Sequence, residues 1–203
     1  MEGIILKKLF IPVLLLSTFF MFISFKQLEY FWFLYTLTLI IGIILAVLNG
    51  QIMNILPFSR CLFIGLALGL IGYIGFKVFY TFLPQISIVA FNNVQQLLET
   101  YSPTYFWQYF LLIVIIVVGE ELLWRGYIQQ IFKNYFPTTV AVILSSIHFS
   151  LALLLCGYYI GALAAFLSSI VFGGIYEKIK SMSLLIIAHL VLVILLFILL
   201  PLY

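Results

Sequence analysis

Apolar runs long enough to cross a lipid bilayer follow one another along nearly the whole of this 203-residue chain. A helix needs about 20 mostly apolar residues to span the hydrocarbon core of a membrane. By that measure the sequence predicts seven spans, at residues 9–25, 31–48, 61–83, 107–132, 137–155, 158–176 and 182–202. No stretch between them is long enough to fold alone. We therefore predict an all-α integral membrane protein, a bundle of about seven transmembrane helices.

The scarcity of charge excludes a soluble protein. Only 7% of the residues are charged and 66% are hydrophobic, whereas a soluble domain carries about 25% charged residues. The net charge of +3 comes from dispersed basic residues, a pattern that indicates membrane topology and no nucleic-acid partner. The lipid bilayer is thus the expected surrounding of most of the chain.

The basic residues also predict the orientation of the chain. With the N-terminus in the cytoplasm, the outer connections hold only Lys26. The inner ends then hold Lys7, Lys8, Arg60, Lys133, Lys178 and Lys180. An excess of lysine and arginine on the cytoplasmic side is the usual bias. We predict a multi-pass protein of the cell membrane with a cytoplasmic N-terminus, whose first apolar run is retained and not cleaved as a signal peptide.

The long connection between the third and fourth spans carries a helical pattern of its own. Its apolar residues recur at helical spacing, opposite asparagine and glutamine side chains: Phe91, Val94, Leu97, Leu98 and Tyr101. This amphipathic pattern predicts a helix lying in the outer membrane interface. We therefore divide the chain into residues 1–105, which hold the N-terminal spans and this helix, and residues 106–203, which hold the last four spans.

Two adjacent glutamates and an arginine interrupt the fourth span. A charged side chain at the centre of a bilayer costs about 2.5–3.5 kcal/mol, so such residues mark functional sites by default. Glu121 and Arg125 are spaced i, i+4 on one helix face, where the arginine neutralises the glutamate, and Glu120 lies about 100° away. We predict that Glu121 is a paired, structural carboxylate and that Glu120 is free to act as a base or a metal ligand. The alternative is a buried polar network that only locks helix packing.

The two histidines of the chain, His148 and His189, also lie inside predicted spans. Counted at 1.5 Å per helical residue from the predicted inner ends, Glu121 lies about 18 Å deep, His148 about 17 Å and His189 about 14 Å. Three helices thus bring titratable groups to one level. We predict that Glu120, His148 and His189 converge on one pocket that opens toward the cytoplasmic half of the membrane.

These residues resemble the first motif of the CPBP family (CAAX protease and bacteriocin-processing, or Abi), intramembrane endopeptidases that include the type II CAAX prenyl proteases. That motif, EExxxR commonly followed by glycine, is matched by Glu120, Glu121, Arg125 and Gly126. The resemblance covers roughly Phe106 to Leu200. It identifies residues 106–203 as a catalytic core of four transmembrane helices.

Two further family motifs are matched in part. The second, FxxxH, is matched at His148, with Leu144 where phenylalanine is usual. The third, HxxxN or HxxxD, is matched at His189, with Val193 in place of the polar residue. Because valine offers no hydrogen-bond donor, the chain departs from the family pattern at a position that serves the reaction.

The resemblance implies an enzyme that hydrolyses a peptide bond within the membrane, with Glu120, Glu121, Arg125, His148 and His189 as its catalytic residues. Glu120 and His148 would activate a water. His189, with the usual asparagine, would stabilise the oxyanion of the tetrahedral intermediate. With Val193 in the asparagine position we expect slow turnover, unless a hydroxyl such as that of Ser145 or Ser168 replaces the missing donor.

The need for a cofactor stays open from spacing alone. Glu120, His148 and His189 would make a three-ligand zinc set with water in the fourth place. The same residues serve a glutamate mechanism that needs no metal, and we favour that mechanism. The expected partner is a membrane-embedded peptide or protein substrate, whose class stays open among prenylated CAAX proteins, bacteriocin or pheromone precursors and leftover signal peptides. The sequence predicts no oligomeric state.

Two other functions compete with the protease. In the first, the chain is a catalytically weakened relative that acts as a bacteriocin-immunity or regulatory membrane partner, and Val193 favours this alternative. In the second, the chain is a proton-coupled transporter in which Glu120 and the histidines form a relay. The small size of the chain, the lack of an evident repeat and the complete first motif count against a transporter.

Overall fold

Helices account for nearly all of the chain in the computed structural model, which describes residues 2–202, with side chains from residue 11 to 202. In that part of the chain there are eight main helices and no strand: α1 Glu2–Lys26, α2 Phe31–Asn49, α3 Phe58–Ile86, α4 Ile88–Tyr101, α5 Phe106–Lys133, α6 Thr138–Leu155, α7 Tyr159–Ile179 and α8 Met182–Leu199. The side chains of Lys7 and Lys8, which contribute to the predicted orientation, lie outside the described residues.

Six of these helices are long and apolar enough to cross a membrane, namely α2, α3, α5, α6, α7 and α8. In α1 the segment Ile11–Lys26 is apolar but shorter, within a helix of 25 residues. The all-α membrane fold with about seven spanning helices is therefore confirmed. The predicted division at residue 105 stays a prediction.

Small residues on α3 bring α8 unusually close to it. A Cβ atom added at Gly69 would lie 2.6 Å from the Ala188 carbonyl oxygen and 2.6 Å from Val191 Cβ. One at Gly65, a turn earlier, would also overlap with α8. Glycines spaced by four residues let membrane helices pack backbone to backbone. Their packing fixes the position of α8 and thereby of His189.

A second close approach joins α2 and α5. A Cβ atom added at Gly119 would lie 2.9 Å from Leu39 Cβ, and one at Gly42 would lie 3.0 Å from Leu123 Cδ2. Neither glycine therefore leaves room for a side chain, so the backbones of the two helices lie close together. Such close packing leaves little freedom for either helix to slide or rotate. One face of α2 is thus held directly against the turn of α5 that carries Glu120.

The predicted amphipathic helix is present as α4, at one end of the bundle. Its predicted apolar residues are all partly buried against the other helices: Phe91, Val94, Leu97, Leu98 and Tyr101. The Ser87 hydroxyl caps its start by accepting from the Ala90 amide at 3.2 Å. Asn93 joins it to the turn before α7, donating to the Gly157 carbonyl at 3.0 Å and accepting from the Ile160 amide at 3.3 Å.

The opposite end of the bundle is closed by a polar network around Glu177. Its carboxylate accepts from Lys133 at 2.7 Å, from Gln129 at 2.9 Å, from Gln130 at 3.1 Å and from Lys180. These side chains come from α5 and from the end of α7. Because the buried amides and both lysines converge on one carboxylate, they tie the two helices together.

The loop from α2 to α3 lies across this same end. The Gln51 amide donates to the Gly126 carbonyl at 2.9 Å, and the Met182 amide donates to the Met53 carbonyl at 2.8 Å. The Tyr176 hydroxyl donates to the Gln51 carbonyl at 2.7 Å and accepts from the Met53 amide at 3.0 Å. The backbone of the loop is therefore satisfied by α5, α7 and α8.

Candidate active site

The helix with the paired glutamates is irregular on both sides of them. Two π-helical segments, Leu112–Ile116 and Leu122–Ile128, flank the α-helical turn Val117–Glu121. Such wide turns are rare and are frequent at functional sites. Residues 119–132 are all buried, so this part of α5 is the interior of the bundle.

Glu121 is the fully enclosed carboxylate of the pair, with a side chain 0% exposed. One of its oxygens, Oε1, lies 3.3 Å from Arg125 Nη1 and 2.8 Å from His189 Nδ1. The predicted contact between Glu121 and Arg125 is confirmed. The contact with His189 was not predicted, and it connects α5 to α8.

Aromatic rings hold the remaining faces of the Arg125 guanidinium. Its Cζ atom lies 5.5 Å from the centre of the Phe149 ring and 5.6 Å from that of Phe172. A guanidinium over a ring face is stabilised by the ring quadrupole, more so where water is excluded. Arg125 is therefore held by one carboxylate and two aromatic faces, contributed by three helices.

The Glu120 carboxylate contacts Tyr35 and also faces a cavity. Its Oε1 accepts from the Tyr35 hydroxyl at 2.6 Å, and its Oε2 lies 3.8 Å from His189 Nε2. Its side chain is 12% exposed, against 0% for Glu121. The imidazole of His189 thus lies between the two carboxylates, and Glu120 is the one that faces a cavity.

That cavity has a volume of about 230 Å³. Glu120, His189 and Val193 lie on its wall, which is otherwise mostly aliphatic and aromatic. It extends past Tyr101 and Phe197 toward the end of the bundle that α4 covers. The Glu177 network lies at the other end of the bundle. Which membrane face the cavity opens toward depends on the orientation of the chain, so the predicted opening toward the cytoplasmic half stays a prediction.

His148 does not join this cluster, contrary to the predicted convergence. Its Nε2 lies 3.0 Å from the Ser17 hydroxyl and 3.3 Å from the Thr18 hydroxyl of α1. Both hydroxyls also lie within hydrogen-bonding distance of the Leu14 carbonyl, and the tautomer of the imidazole decides whether Nε2 donates to them or accepts from them. The Trp124 ring packs against the imidazole at 5.3 Å between centres. His148 is absent from the cavity wall.

The predicted zinc set therefore does not fit the arrangement of these residues. Zinc requires three or four ligand atoms about 2.0–2.3 Å from one point. Among the described side chains, no group of three or more His, Cys, Asp or Glu residues is close enough to hold a metal ion. Glu120 and His189 approach each other, but His148 faces α1.

The Glu121→Gln substitution tests the structural half of the pair. Glutamine leaves the buried Arg125 guanidinium without a counter-charge and His189 Nδ1 with a weaker acceptor. Breaking a buried ion pair from one side costs about 3–5 kcal/mol. We expect the midpoint of unfolding by SDS in mixed micelles to fall accordingly. Glu99→Gln is the control, because Glu99 lies exposed on α4, and equal midpoints for both variants would contradict the structural role.

Comparison with known protein families gives a match over the second half of the chain. Residues 102–195 match the family model described as Type II CAAX prenyl endopeptidase Rce1-like. No curated protein and no solved structure matches the chain. The matched range contains both glutamates, Arg125, both histidines and Val193, whereas Tyr35 lies outside it.

Proposed function

We propose, from the premise that this chain belongs to the CPBP family of CAAX-type proteases, that it cleaves a membrane-embedded peptide with a glutamate-activated water. The observation that carries the proposal is the pairing of Glu120 Oε2 with His189 Nε2, 3.8 Å apart on the wall of an apolar cavity. A water or a carbonyl oxygen placed beside both atoms would be within hydrogen-bonding distance of each.

Glu120 acts as the general base. It takes a proton from the water as the water oxygen attacks the carbonyl carbon of the substrate. When the tetrahedral intermediate collapses and the C–N bond breaks, Glu120 returns that proton to the leaving amine. A positioned base of this kind contributes about 10²- to 10⁴-fold to the rate. The Glu120 side chain is exposed to the cavity and can reach a water there, whereas the Glu121 side chain is fully enclosed. This difference supports Glu120 as the base.

His189 supplies a donor to the oxyanion. Its Nδ1 faces the Glu121 carboxylate at 2.8 Å, which accepts a hydrogen bond and so fixes the ring, leaving Nε2 directed at the cavity. Two carboxylates and the Arg125 guanidinium surround this ring, so a protonated imidazole brings the net charge of the cluster to zero. Buried charges are tolerated when they are compensated in this way. An Nε2–H in the cavity stabilises negative charge as it develops.

The route to the site favours a substrate that is itself apolar. The cavity runs to the α4 end between aromatic side chains, and about 230 Å³ admits only a short segment around the scissile bond. We propose that the peptide enters from that end. The name of the matched family makes a prenylated CAAX peptide the first substrate to test.

The test is cleavage of defined peptides by the purified protein in liposomes. The probes are a farnesylated CAAX peptide, the same peptide without the lipid, and a signal-peptide segment, each with a fluorophore and a quencher. We expect at least one to be cleaved at a single bond, with the same rate in the presence of a chelator. Failure to cleave any of them would contradict the proposal, and loss of cleavage in chelator would contradict the metal-independent mechanism.

A further inference from the structure

We infer that Tyr35 is a positioning residue for the general base, an assignment that rests on the proposed function of Glu120. The Tyr35 hydroxyl lies 2.6 Å from Glu120 Oε1. An ionised carboxylate only accepts hydrogen bonds, so the hydroxyl is the donor. It holds one oxygen of the carboxylate and leaves the other, Oε2, directed at His189 Nε2 across the cavity.

The packing around Tyr35 fixes where its hydroxyl can be. The residue is 6% exposed, and its ring stacks on Phe31 with centres 5.3 Å apart. Phe25 meets the same ring edge-on at 5.6 Å. One turn further along α2, Leu39 lies against Gly119 of α5. The donor is therefore mounted on a helix that cannot shift relative to Glu120, as a positioned catalytic group requires.

This contact gives the N-terminal helices a part in the reaction. Tyr35 precedes residues 102–195, where the family match lies, yet it touches the carboxylate that the match contains. Tyr35 also lines the catalytic cavity together with Met21 and Trp32, residues of α1 and α2. The site is completed by helices that the family motifs do not cover.

Tyr35→Phe removes the hydroxyl and keeps the ring. A hydrogen bond to a charged group is worth about 10- to 100-fold in an equilibrium or a rate. We expect kcat to fall by about that factor, with KM within about twofold, because the variant loses alignment of the base and not substrate contacts. A role confined to stability would lower the unfolding midpoint and leave kcat unchanged.

The neighbouring residue provides a matched control. Thr36 is also 6% exposed, and its Oγ1 has no hydrogen-bond partner among the described residues. Thr36→Val removes a buried hydroxyl from the same turn of α2 without touching Glu120. We expect its kcat and KM to equal those of the unmodified protein.

The experiment measures cleavage of the quenched peptides by the unmodified protein and by the Tyr35→Phe, Thr36→Val and Glu120→Gln variants, with unfolding midpoints in SDS. The inference is supported if kcat falls for Tyr35→Phe and is unchanged for Thr36→Val. Equal kcat for Tyr35→Phe and Thr36→Val, while Glu120→Gln is inactive, overturns it and leaves the proposed function intact. Equal activity of Glu120→Gln and the unmodified protein overturns the function of Glu120 itself, and Tyr35 falls with it.

Discussion

Replacing Glu120 by glutamine is expected to lower the rate of peptide cleavage by about 10²- to 10⁴-fold, the contribution of a positioned general base. Glutamine keeps an acceptor oxygen for the Tyr35 hydroxyl, which lies 2.6 Å from Glu120 Oε1 in the unmodified protein. It removes the carboxylate oxygen that we propose takes the proton from water. Because an uncharged amide is cheaper to bury than a carboxylate, the protein should fold and accumulate normally.

The measurement pairs turnover with stability. Cleavage of the quenched peptides is followed for Glu120→Gln and for the control Glu99→Gln, whose side chain lies on the exposed face of α4. The SDS unfolding midpoint of Glu120→Gln should equal or exceed that of the unmodified protein, whereas Glu121→Gln should fall below it. Equal losses of activity and stability in the two glutamate variants would contradict the division of labour between Glu120 and Glu121.

The same variant decides between the protease and its non-catalytic alternative. A regulatory or immunity partner needs the folded scaffold but not the base, so its biological function would survive Glu120→Gln. A protease would lose its function together with its turnover. Because we expect Glu120→Gln to fold normally, and the SDS unfolding midpoint checks that, loss of function in this variant is distinguished from misfolding.

The helices were predictable from the sequence because a segment that crosses the hydrocarbon core must be apolar along its whole length. The predicted third span, 61–83, appears as Phe58–Ile86, longer because Pro84 falls in its final turn and does not end it. The contact between Glu121 and Arg125 was also predictable, since i, i+4 spacing on a helix brings two side chains together whatever the rest of the fold.

Contacts between helices depend on rotation, which the sequence pattern does not report. Tyr35 is one of 13 tyrosines, and nothing in its neighbourhood marks it as the partner of Glu120. The depth of His148 could be counted from the helix end. The direction of its side chain could not, and it faces the Ser17 and Thr18 hydroxyls of α1.

The direction of the cavity was unpredictable for a related reason. The depth argument placed the ionisable groups near the middle of the bilayer but gave no information on which end is closed. Closure comes from Glu177 and the loop between α2 and α3, through contacts with α5, α7 and α8. Such packing of a loop against distant helices leaves no periodic signal in the sequence.

Replacing Val193 by asparagine is expected to raise kcat by about 10²- to 10³-fold, the value of one oxyanion donor. Val193 is buried and lies on the cavity wall with Glu120 and His189. It follows His189 by one helical turn on α8, so its side chain lies on the same face. An amide there adds an N–H beside the position where the oxyanion forms.

The two serines considered as replacement donors do not fill this gap. Ser145 and Ser168, the hydroxyls considered from the sequence, are absent from the described cavity wall, and the Ser168 hydroxyl donates to the Ala164 carbonyl at 2.8 Å. On the proposed mechanism neither serine gives His189 a second oxyanion donor, so we expect the unmodified protein to turn over slowly. A donor that strengthens its bond only in the transition state raises kcat and leaves KM nearly unchanged.

The control for Val193→Asn is Ile194→Asn, which places the same amide on the next residue of α8, away from the cavity wall. Val193 is buried and Ile194 is only partly buried, so unfolding midpoints in SDS are compared beside kcat, and a difference in kcat between two folded variants reports the position of the amide. An increase in Val193→Asn alone shows that the natural chain lacks one oxyanion donor. If Val193→Asn is no faster than Ile194→Asn, the oxyanion forms elsewhere in the cavity, and the role given to His189 Nε2 is wrong with it.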